Sequence, residues 1–226
     1  MSVTMGAATE LWLVRHGETE WSLSGKHTSR TDVPLTEHGR QRAVELRDYL
    51  KGMKFDAVFV SPMQRARETC AIAGYGDVAV VDERLREWDY GVYEGRTTAE
   101  IGAEIPGWSV WKNEIVGGET VDHVGERADA VIVRALVADS VVARALEPTS
   151  KKRDPSTSSG QAMGHPSYGR VLLFAHAHIL RILAARWIGL AAVGGERFAL
   201  GTGSVSVLGW ERETRVVQHW NRGFEG

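Results

Sequence analysis

Arg15, His16 and Gly17 directly follow residues 11–14, an apolar run that predicts a buried strand. A strand that ends on a cation and an imidazole presents groups that can bind a ligand or react with it. Open α/β sheets form their ligand site at the carboxyl ends of strands, where glycine lets the backbone turn sharply or approach a bound group. These three residues alone do not distinguish a ligand site from an ordinary strand end with a solvated arginine and a capping histidine.

Three further apolar runs lead to residues of similar chemical types. Residues 57–60 precede an arginine, residues 78–81 precede an acid, and residues 171–173 precede a second histidine. The side chains concerned are Arg65, Glu87 and His176. Because parallel strands present their carboxyl ends at one edge of a sheet, these strand ends predict a shared site.

The elements that must position these side chains alternate along the chain. Apolar runs separated by helical patterns predict an α/β fold, a three-layer sandwich in which a mainly parallel sheet carries helices on both faces. One more predicted helix begins at Pro62 and carries Arg65. The other predicted helices cover residues 36–51, with Thr36 as the cap, 119–146 and 179–188, and a closing hairpin covers residues 203–210 and 215–220.

Length and composition predict a single globular domain over residues 1–226. The 226 residues contain 43% hydrophobic and 25% charged side chains, which is ordinary for such a domain. The stretch 148–169 has no apolar period and begins with a serine-rich, proline-bearing sequence. Because it cannot bury enough apolar surface to offset its ordering, we expect a flexible surface insertion there.

Charge and cysteine content exclude several classes of partner. A net charge of −2 gives no general attraction to nucleic acid or to a membrane surface, so anion binding must come from local residues. Cys70 is the single cysteine, which rules out an internal disulfide, and we expect it to be a buried structural thiol. No segment is long enough to span a membrane, and residues 1–10 lack the features of a signal peptide, so we expect a cytoplasmic protein.

The four motifs resemble those of the histidine phosphatase superfamily, also called the phosphoglycerate mutase-like family, in residue type and in order. The resemblance extends from residue 11 to about residue 210. Within the family, Ser22, residues 28–32 and residues 87–95 look most like the sugar-bisphosphatase and acid-phosphatase branches. The resemblance implies a phosphoglycerate mutase-like fold and a phosphatase that acts on a small phosphorylated metabolite through a phosphohistidine.

The resemblance implies catalytic roles for five residues, and the charge of a phosphomonoester agrees with them. Arg15 and Arg65 clamp the phosphoryl group, which carries about two negative charges near neutral pH. His16 attacks phosphorus as a neutral imidazole, and the flanking cations disfavour its protonated form. His176 donates hydrogen bonds to the phosphoryl oxygens, and Glu87 is the general acid and later the general base.

A leaving alkoxide needs a proton, so the pKa of Glu87 matters. Trp88 and Tyr90 lie close to Glu87 in the sequence, and we expect them to exclude water from its carboxyl group. Desolvation disfavours a carboxylate, so the sequence predicts a raised pKa for Glu87.

Polar residues after the nucleophile and beside the second histidine are expected to bind the rest of the substrate. Hydroxyl and amide groups suit a polyol, and the single extra cation, Arg30, suits a second phosphate. We expect an enzyme that acts on a small sugar phosphate or bisphosphate. The alternative is an acid phosphatase with a broad range of substrates. The expected substrate-binding residues are Ser22, His27, Thr28, Ser29, Arg30, Ala177 and His178.

The histidines also allow a metal site as an alternative. His176 and His178 are two residues apart, so on an extended segment they point to opposite faces and rarely hold one ion. The motifs contain no convincing set of histidine and carboxylate ligands for zinc. We therefore expect neither a metal ion nor another cofactor.

Two alternatives to a phosphatase remain open. Members of the family that look like mutases carry a lysine and an arginine pair in the region after the acid, and commonly an arginine directly after the acid. Here residues 96–118 contain Arg96 and Lys112 without an arginine pair, and Trp88 follows the acid. The second alternative is a non-catalytic phospho-ligand-binding member, which has no need of a nucleophile and an acid together. Either kind of chain could form a homo-oligomer.

Overall fold

The computed structural model describes residues 9–145 and 169–223, which form an α/β fold around one six-stranded sheet. The strand order is β3-β2-β4-β1-β5-β6. Strands β1 to β4 pair in parallel, whereas β5 pairs antiparallel with β1 and with β6. The strands are β1 (Glu10–Arg15), β2 (Ala57–Val60), β3 (Val80–Val81), β4 (Arg170–Ala175), β5 (Val205–Glu211) and β6 (Thr214–Arg222).

The register of the central strands brings the predicted site residues together. Strand β4 lies between β1 and β2, with Arg15 opposite Ala175 and Val60 opposite Phe174. The three carboxyl ends are therefore level, and the residues that follow them emerge side by side. This placement confirms the mainly parallel sheet predicted from the sequence.

Helices cover both faces of the sheet, because the strands alternate their buried side chains between two cores. Trp12 and Phe174 pack in one core with residues of α2 and α3, whereas Leu13 and Leu173 pack in the other core with residues of α5 and α6. The helices are α1 (Glu20–Ser24), α2 (Glu37–Leu50), α3 (Gln64–Ile72), α4 (Thr98–Glu104), α5 (Val121–Ala145) and α6 (Ala177–Trp187). Short 3₁₀ helices cover Glu83–Leu85, Gly91–Tyr93 and Ala192–Arg197.

Most predicted elements occur, with shifted ends. Thr36 caps α2 as expected, since its side chain accepts a hydrogen bond from the backbone of Gly39 at 3.0 Å. Helix α6 begins at Ala177, two residues earlier than predicted, so that His176 becomes its N-cap. The predicted position of Pro62 in the first turn of α3 is wrong, because Met63 is the N-cap and Pro62 precedes it.

Strand β3 is much shorter than the predicted run 78–81. Only Val80 and Val81 pair with β2, at the edge of the sheet, and both side chains are half exposed. Val78 instead belongs to a turn in which its backbone amide donates to the carbonyl of Tyr75. The apolar run therefore reflects β-branched residues at an edge rather than a buried strand.

Two expectations concern residues away from the site. Cys70 is buried, as predicted, and burial raises the pKa of its thiol to about 12, which disfavours the reactive thiolate. The predicted insertion 148–169 lies outside the described residues except for Gly169. In the part of the chain that is described, no helix has both the length and the apolar character needed to cross a membrane.

Candidate active site

The loop after β1 is held tightly from two sides. The backbone amide of His16 donates to the carbonyl of Ala175 at 3.0 Å, and that of Gly17 donates to Oγ1 of Thr69 at 2.9 Å. A Cβ atom at position 17 would lie 2.6 Å from the backbone oxygen of Gly39, at the start of α2. Only glycine fits this contact. The close approach predicted for Gly17 is therefore made to the backbone of α2 and not to a bound group.

The hydrogen bond of His16 determines which ring nitrogen is free. Nδ1 lies 2.7 Å from the carbonyl oxygen of Gly17. Because a carbonyl only accepts hydrogen bonds, Nδ1 carries the proton and Nε2 keeps its lone pair in the neutral ring. Burial, and then the charges of Arg65 and Arg15, hold the pKa of His16 well below its usual value. The imidazole is neutral, as expected, although burial is the larger cause.

Arg65 is fully buried and binds protein groups on several sides. Its guanidinium donates to the carbonyls of Thr28, Ser29 and Thr31 at 3.0 to 3.2 Å. Its Nε donates to Nδ1 of His176 at 3.2 Å. This arginine therefore fixes the loop 28–31 and brings a positive charge next to His16 and His176.

His176 also has both ring nitrogens occupied. Since Nδ1 accepts from Arg65, Nε2 carries the proton and donates to Oγ of Ser61 at 2.7 Å. Its ring lies 5.1 Å from that of His16, centroid to centroid. Burial, followed by the charge of Arg65, holds the pKa of His176 well below its usual value. The two histidines are thus adjacent neutral imidazoles.

Arg15 has donor capacity that the protein does not use. One terminal nitrogen donates to the carbonyl of Leu200 at 2.5 Å. Its Nε is buried and makes no hydrogen bond within residues 9–145 and 169–223. The protein thus does not use all donors of this partly buried guanidinium, and a charged group of this kind is suited to an anionic ligand.

Glu87 differs from expectation. Burial alone would raise its pKa, as predicted, but the carboxylate accepts backbone hydrogen bonds from Trp88, His178 and Ile179, each at 3.0 Å. Two of these donors belong to the first turn of α6, whose N-terminus favours a negative charge. The side chain of His178 opposes the effect of burial most strongly, followed by the charge of His176 and the backbone amide of His178, and these groups hold the pKa of Glu87 well below its usual value. The predicted rise is therefore wrong, and the group is ionised near neutral pH.

A cavity of about 400 Å³ opens at this edge of the sheet. Arg15, His16 and Glu87 line it, so the structure brings the nucleophile, one cation and the acidic residue of the sequence prediction to one space. Five of the expected substrate-binding residues also line the cavity, namely Ser22, His27, Thr28, Ala177 and His178. Burial, and then His178, lowers the pKa of His27 to about 4.

Ser29 and Arg30 do not line this cavity. Both border a separate space of about 530 Å³ on the other side of Glu87. The side chain of Arg30 is 72% exposed and forms an ion pair with Asp89. The structure thus does not place Arg30 where a second phosphate of a ligand bound at His16 would lie.

Two cations that the sequence analysis did not single out line the main cavity instead. Arg181 donates to the carbonyls of Gly195 and Glu196, each at 3.1 Å, and its guanidinium lies 4.7 Å from the ring centre of Trp111. Neither Arg181 nor Lys26 has a carboxylate ion-pair partner among the described residues. Arg181 lies three residues after His178 in α6, a spacing that places both on one helix face and is readable from the sequence.

His176 and His178 diverge, as their spacing suggested. Nδ1 of His178 lies 2.7 Å from the hydroxyl of Tyr90 and 3.7 Å from Oε2 of Glu87. His176 faces Ser61 and Arg65 instead. Across residues 9–145 and 169–223, no three histidine, cysteine or acidic side chains are grouped so that they could hold a metal ion.

Comparison with known proteins agrees with this arrangement. An acid phosphatase of Mycobacterium tuberculosis is 38% identical over 209 residues, which cover 92% of this chain and 89% of the relative. The sedoheptulose 1,7-bisphosphatase of Saccharomyces cerevisiae is 33% identical over 205 residues, or 79% of this chain and 67% of the relative. The solved structure of a Mycobacterium tuberculosis open reading frame superposes with a TM-score of 0.79 at 33% identity, over 96% of this chain and 99% of that one.

The family comparison covers most of the molecule. The model of the histidine phosphatase superfamily, branch 1, matches residues 11–142 and 160–223. The matched ranges include the strand ends that carry His16, Arg65, Glu87 and His176. Motif order, strand register and overall similarity agree, and the chain belongs to branch 1 of the histidine phosphatase superfamily.

Proposed function

We propose that this protein hydrolyses phosphomonoesters through a phosphohistidine at Nε2 of His16, without a metal ion. The observation that carries the proposal is the hydrogen bond from Nδ1 of His16 to Gly17, which leaves Nε2 as the nucleophilic nitrogen. Burial and two guanidinium groups keep that nitrogen unprotonated. A neutral imidazole in this setting attacks phosphorus readily, because the same cations neutralise the phosphate.

Each charged or titratable side chain of the site has a separate role in the proposed reaction. Arg15, which lines the cavity, binds the phosphoryl oxygens directly, whereas Arg65 acts mainly through its charge and by fixing the loop 28–31. Glu87 and His178 form the acid–base pair of the cavity. His176 lies beside His16 as a neutral imidazole. Both of its ring nitrogens are hydrogen-bonded to protein groups, so neither is assigned to the phosphoryl oxygens.

Water, rather than a second metabolite, is the proposed acceptor. Arg96 pairs with Glu104, and neither Arg96 nor Lys112 lines the cavity. Residues 96–118, all of which the structure describes, therefore contribute no cation to the cavity that could hold the carboxylate of a phosphoglycerate in line with the phosphohistidine. Without that anchor the acceptor hydroxyl spends little time in the reactive position, and hydrolysis competes successfully. The relatives named as phosphatases support the same choice over a mutase.

The proposed substrate is a small sugar phosphate or bisphosphate. The cavity of about 400 Å³ falls in the range of small-ligand sites. Hydroxyl side chains of Ser22 and Thr28 line it and suit a polyol. Lys26 and Arg181, which have no ion-pair partner among the described residues, suit a second phosphate in the role first expected of Arg30.

The test compares His16→Asn with His38→Asn, a matched change of a histidine whose side chain is 65% exposed. We expect His16→Asn to lose about 10³-fold or more of kcat/KM for phosphate release, because no other group forms the intermediate. His38→Asn should keep wild-type activity. Rapid quenching of the wild-type enzyme should trap a phosphoryl group that is lost in acid and retained in base.

Three outcomes would contradict the proposal. Robust turnover by His16→Asn would exclude the phosphohistidine, and loss of wild-type activity with a chelator would exclude a metal-independent reaction. Tight phosphate-ester binding without turnover would indicate the non-catalytic alternative.

A further inference from the structure

We propose that Thr69 is a positioning residue for His16: its hydroxyl holds the backbone of Gly17, and Gly17 in turn selects which ring nitrogen of His16 stays free. The inference rests on the proposed phosphohistidine reaction and adds to it a residue that touches no ligand. Thr69 lies in α3, is fully buried and does not line the cavity.

The hydroxyl of Thr69 makes hydrogen bonds in two directions. Its Oγ1 accepts from the backbone amide of Gly17 at 2.9 Å and donates to the carbonyl of Arg65 at 2.7 Å. A hydroxyl has a single proton and a carbonyl only accepts, so that proton points to Arg65 and the lone pairs face Gly17. Because both kinds of partner are present, the buried hydroxyl has one orientation and is a fixed anchor for the Gly17 amide.

The anchor acts on the peptide plane that joins His16 to Gly17. The carbonyl of His16 lies at one edge of this plane and accepts from the backbone amide of Gly203 at 3.0 Å. The amide of Gly17 lies at the opposite edge and is bound to Thr69. Since the atoms of a peptide unit are coplanar, hydrogen bonds at opposite edges prevent the plane from rotating. Gly203 contributes a backbone group, so Thr69 is the partner that a substitution can remove.

Gly17 needs such an anchor because of its own flexibility. Packing requires glycine at this position, since a Cβ atom would lie 2.6 Å from the backbone oxygen of Gly39. Glycine has the widest choice of backbone dihedral angles, so the residue itself does little to fix the direction of its carbonyl. That carbonyl oxygen lies 2.7 Å from Nδ1 of His16. The hydroxyl of Thr69 therefore restricts the residue whose carbonyl determines the tautomer of His16.

The tautomer matters because His16 is neutral. Burial, and then the charges of Arg65 and Arg15, hold the pKa of its imidazole well below the usual value. A neutral imidazole can carry its proton on either nitrogen, and the hydrogen bond made by one nitrogen sets the state of the other. When the carbonyl of Gly17 moves away, the proton can occupy Nε2, which then has no lone pair to attack phosphorus. Loss of the Thr69 hydroxyl should therefore slow the nucleophilic step.

Phosphate binding should change much less than the rate. Arg65 lies one turn before Thr69 in α3, but its guanidinium is held by carbonyls of the loop 28–31 and by Nδ1 of His176. None of these hydrogen bonds involves Thr69. The proposal thus predicts that the rate of phosphoryl transfer falls while the affinity for phosphate is kept, a separation that general loosening of the fold would not produce.

The test uses variants that separate the hydroxyl of Thr69 from the rest of its side chain. Thr69→Val removes the hydroxyl and keeps the shape, whereas Thr69→Ser keeps the hydroxyl and loses the methyl group. Ser206→Ala is the matched control, because Ser206 is also fully buried and its Oγ accepts from the backbone amide of Asn221 at 2.9 Å. That hydrogen bond joins β5 to β6 and does not involve the loop of His16. Thermal melts show how far each variant destabilises the fold.

Two kinetic quantities are compared, namely the rate of phosphoenzyme formation from p-nitrophenyl phosphate, measured by rapid quench, and the competitive inhibition constant of inorganic phosphate. We expect Thr69→Val to form the phosphoenzyme about 10- to 100-fold more slowly than the wild type, because a small misplacement of reacting atoms has an effect of this size. Its inhibition constant should stay unchanged. Thr69→Ser and Ser206→Ala should both react at nearly the wild-type rate.

A spectroscopic measurement tests the tautomer without any reaction. NMR of protein labelled with ¹⁵N-histidine distinguishes a protonated ring nitrogen from one that carries a lone pair. The signals that are absent from His16→Asn belong to His16. We expect the wild-type protein and Thr69→Ser to show the proton of this ring on Nδ1 alone, and Thr69→Val to show a mixture of both tautomers.

Several outcomes would overturn the inference. If Thr69→Val reacts at the wild-type rate, or Thr69→Ser is as slow as Thr69→Val, the hydroxyl has no positioning role. Weaker binding of phosphate at an unchanged rate would mean that Thr69 acts on Arg65 instead, and an unchanged tautomer in Thr69→Val would also exclude the proposed role. If the wild-type protein forms no phosphoenzyme, the proposed function fails separately, and the tautomer measurement still tests the effect of Thr69 on His16.

Discussion

At the scale of single residues, the site is organised by burial of groups that normally carry charge. His16 and His176 are neutral because the interior and Arg65 both oppose protonation. Glu87 is the opposite case, since the side chain of His178 and then its backbone amide keep the charge of Glu87 in place despite burial. His16, the proposed nucleophile, is therefore unprotonated in conditions where an exposed histidine would already be charged, and activity should extend to mildly acidic pH.

Arg181 provides a test of the proposed second anion site. Arg181→Gln should raise KM for a sugar bisphosphate about 10-fold or more, because a charge-assisted contact contributes about 1.5–3 kcal/mol. KM for the corresponding monophosphate should change much less. Arg30→Gln is the matched control, because the side chain of Arg30 lies outside the cavity and is paired with Asp89. Equal KM values in the two variants, or a larger effect at Arg30, would contradict this assignment.

The sequence predicted which residue types meet at the site, but not all of their surroundings. Residues at strand ends are readable because parallel strands must present them together. The pKa of Glu87 is not readable from the sequence, since it depends first on the side chain and then on the backbone amide of His178, far along the chain. Arg181 lies in the predicted helix 179–188, and its spacing of three residues from His178 is the sequence signal that places it on the same helix face.

At the scale of elements, the nucleophile loop and helix α2 fit together through two glycines. A Cβ at position 17 would lie 2.6 Å from the carbonyl oxygen of Gly39, and one at position 39 would lie 2.3 Å from that of Glu18. Neither contact can relax by rotating a side chain, because the atoms met are backbone atoms. The position of β1 relative to α2 is thus set where the chemistry occurs.

Gly17→Ala should therefore destabilise the protein and impair catalysis. We expect a loss of about 1–3 kcal/mol in the free energy of unfolding, as for other overpacked contacts, together with a reduced kcat. Gly102→Ala in α4 is the control, because nothing lies within 4 Å of its added Cβ, and alanine favours the helix. Urea denaturation of both variants checks this. Equal midpoints for the two would show that the loop adjusts.

Short elements were the ones that sequence patterns missed. Helices α1 and α4 contain five and seven residues, too few for a helical period to stand out. Both begin with a capping box, at Thr19 and at Thr97. The pattern of threonine followed three residues later by Glu100 was available in the sequence as a start signal. Long strands and helices were predicted correctly because their burial repeats over several turns or pleats.

At the scale of the whole molecule, folding changes the protonation of several histidines at once. The pKa values of His16, His176 and His27 are all lowered from 6.5, to about 4 for His27. Below pH 6.5 the unfolded chain therefore binds more protons than the folded one. The contribution of these groups to the free energy of unfolding is fully present above about pH 6.5 and is lost as the pH falls towards their pKa values in the folded protein.

Unfolding free energy measured between pH 7 and pH 5 should accordingly fall as the solution becomes more acidic. His27→Asn should reduce this slope by up to about 1.4 kcal/mol per pH unit, the value for one proton. His219→Asn, which replaces an exposed histidine of β6, is the matched control for the substitution itself. A slope in His27→Asn equal to that of the wild type would mean that His27 takes up its proton in the folded state as readily as in the unfolded state.

The N-terminal end of strand β4 lies far from the candidate active site, which matters for inserting sequence into this protein. Gly169 precedes β4 and His176 follows it, so the strand puts roughly 20 Å between them at about 3.3 Å per residue. Sequence added or exchanged just before Gly169 enters the molecule at the end remote from the reacting atoms. Related proteins can therefore differ in sequence at this place and keep the same site residues. A reporter domain or an affinity tag can be inserted there for the same reason.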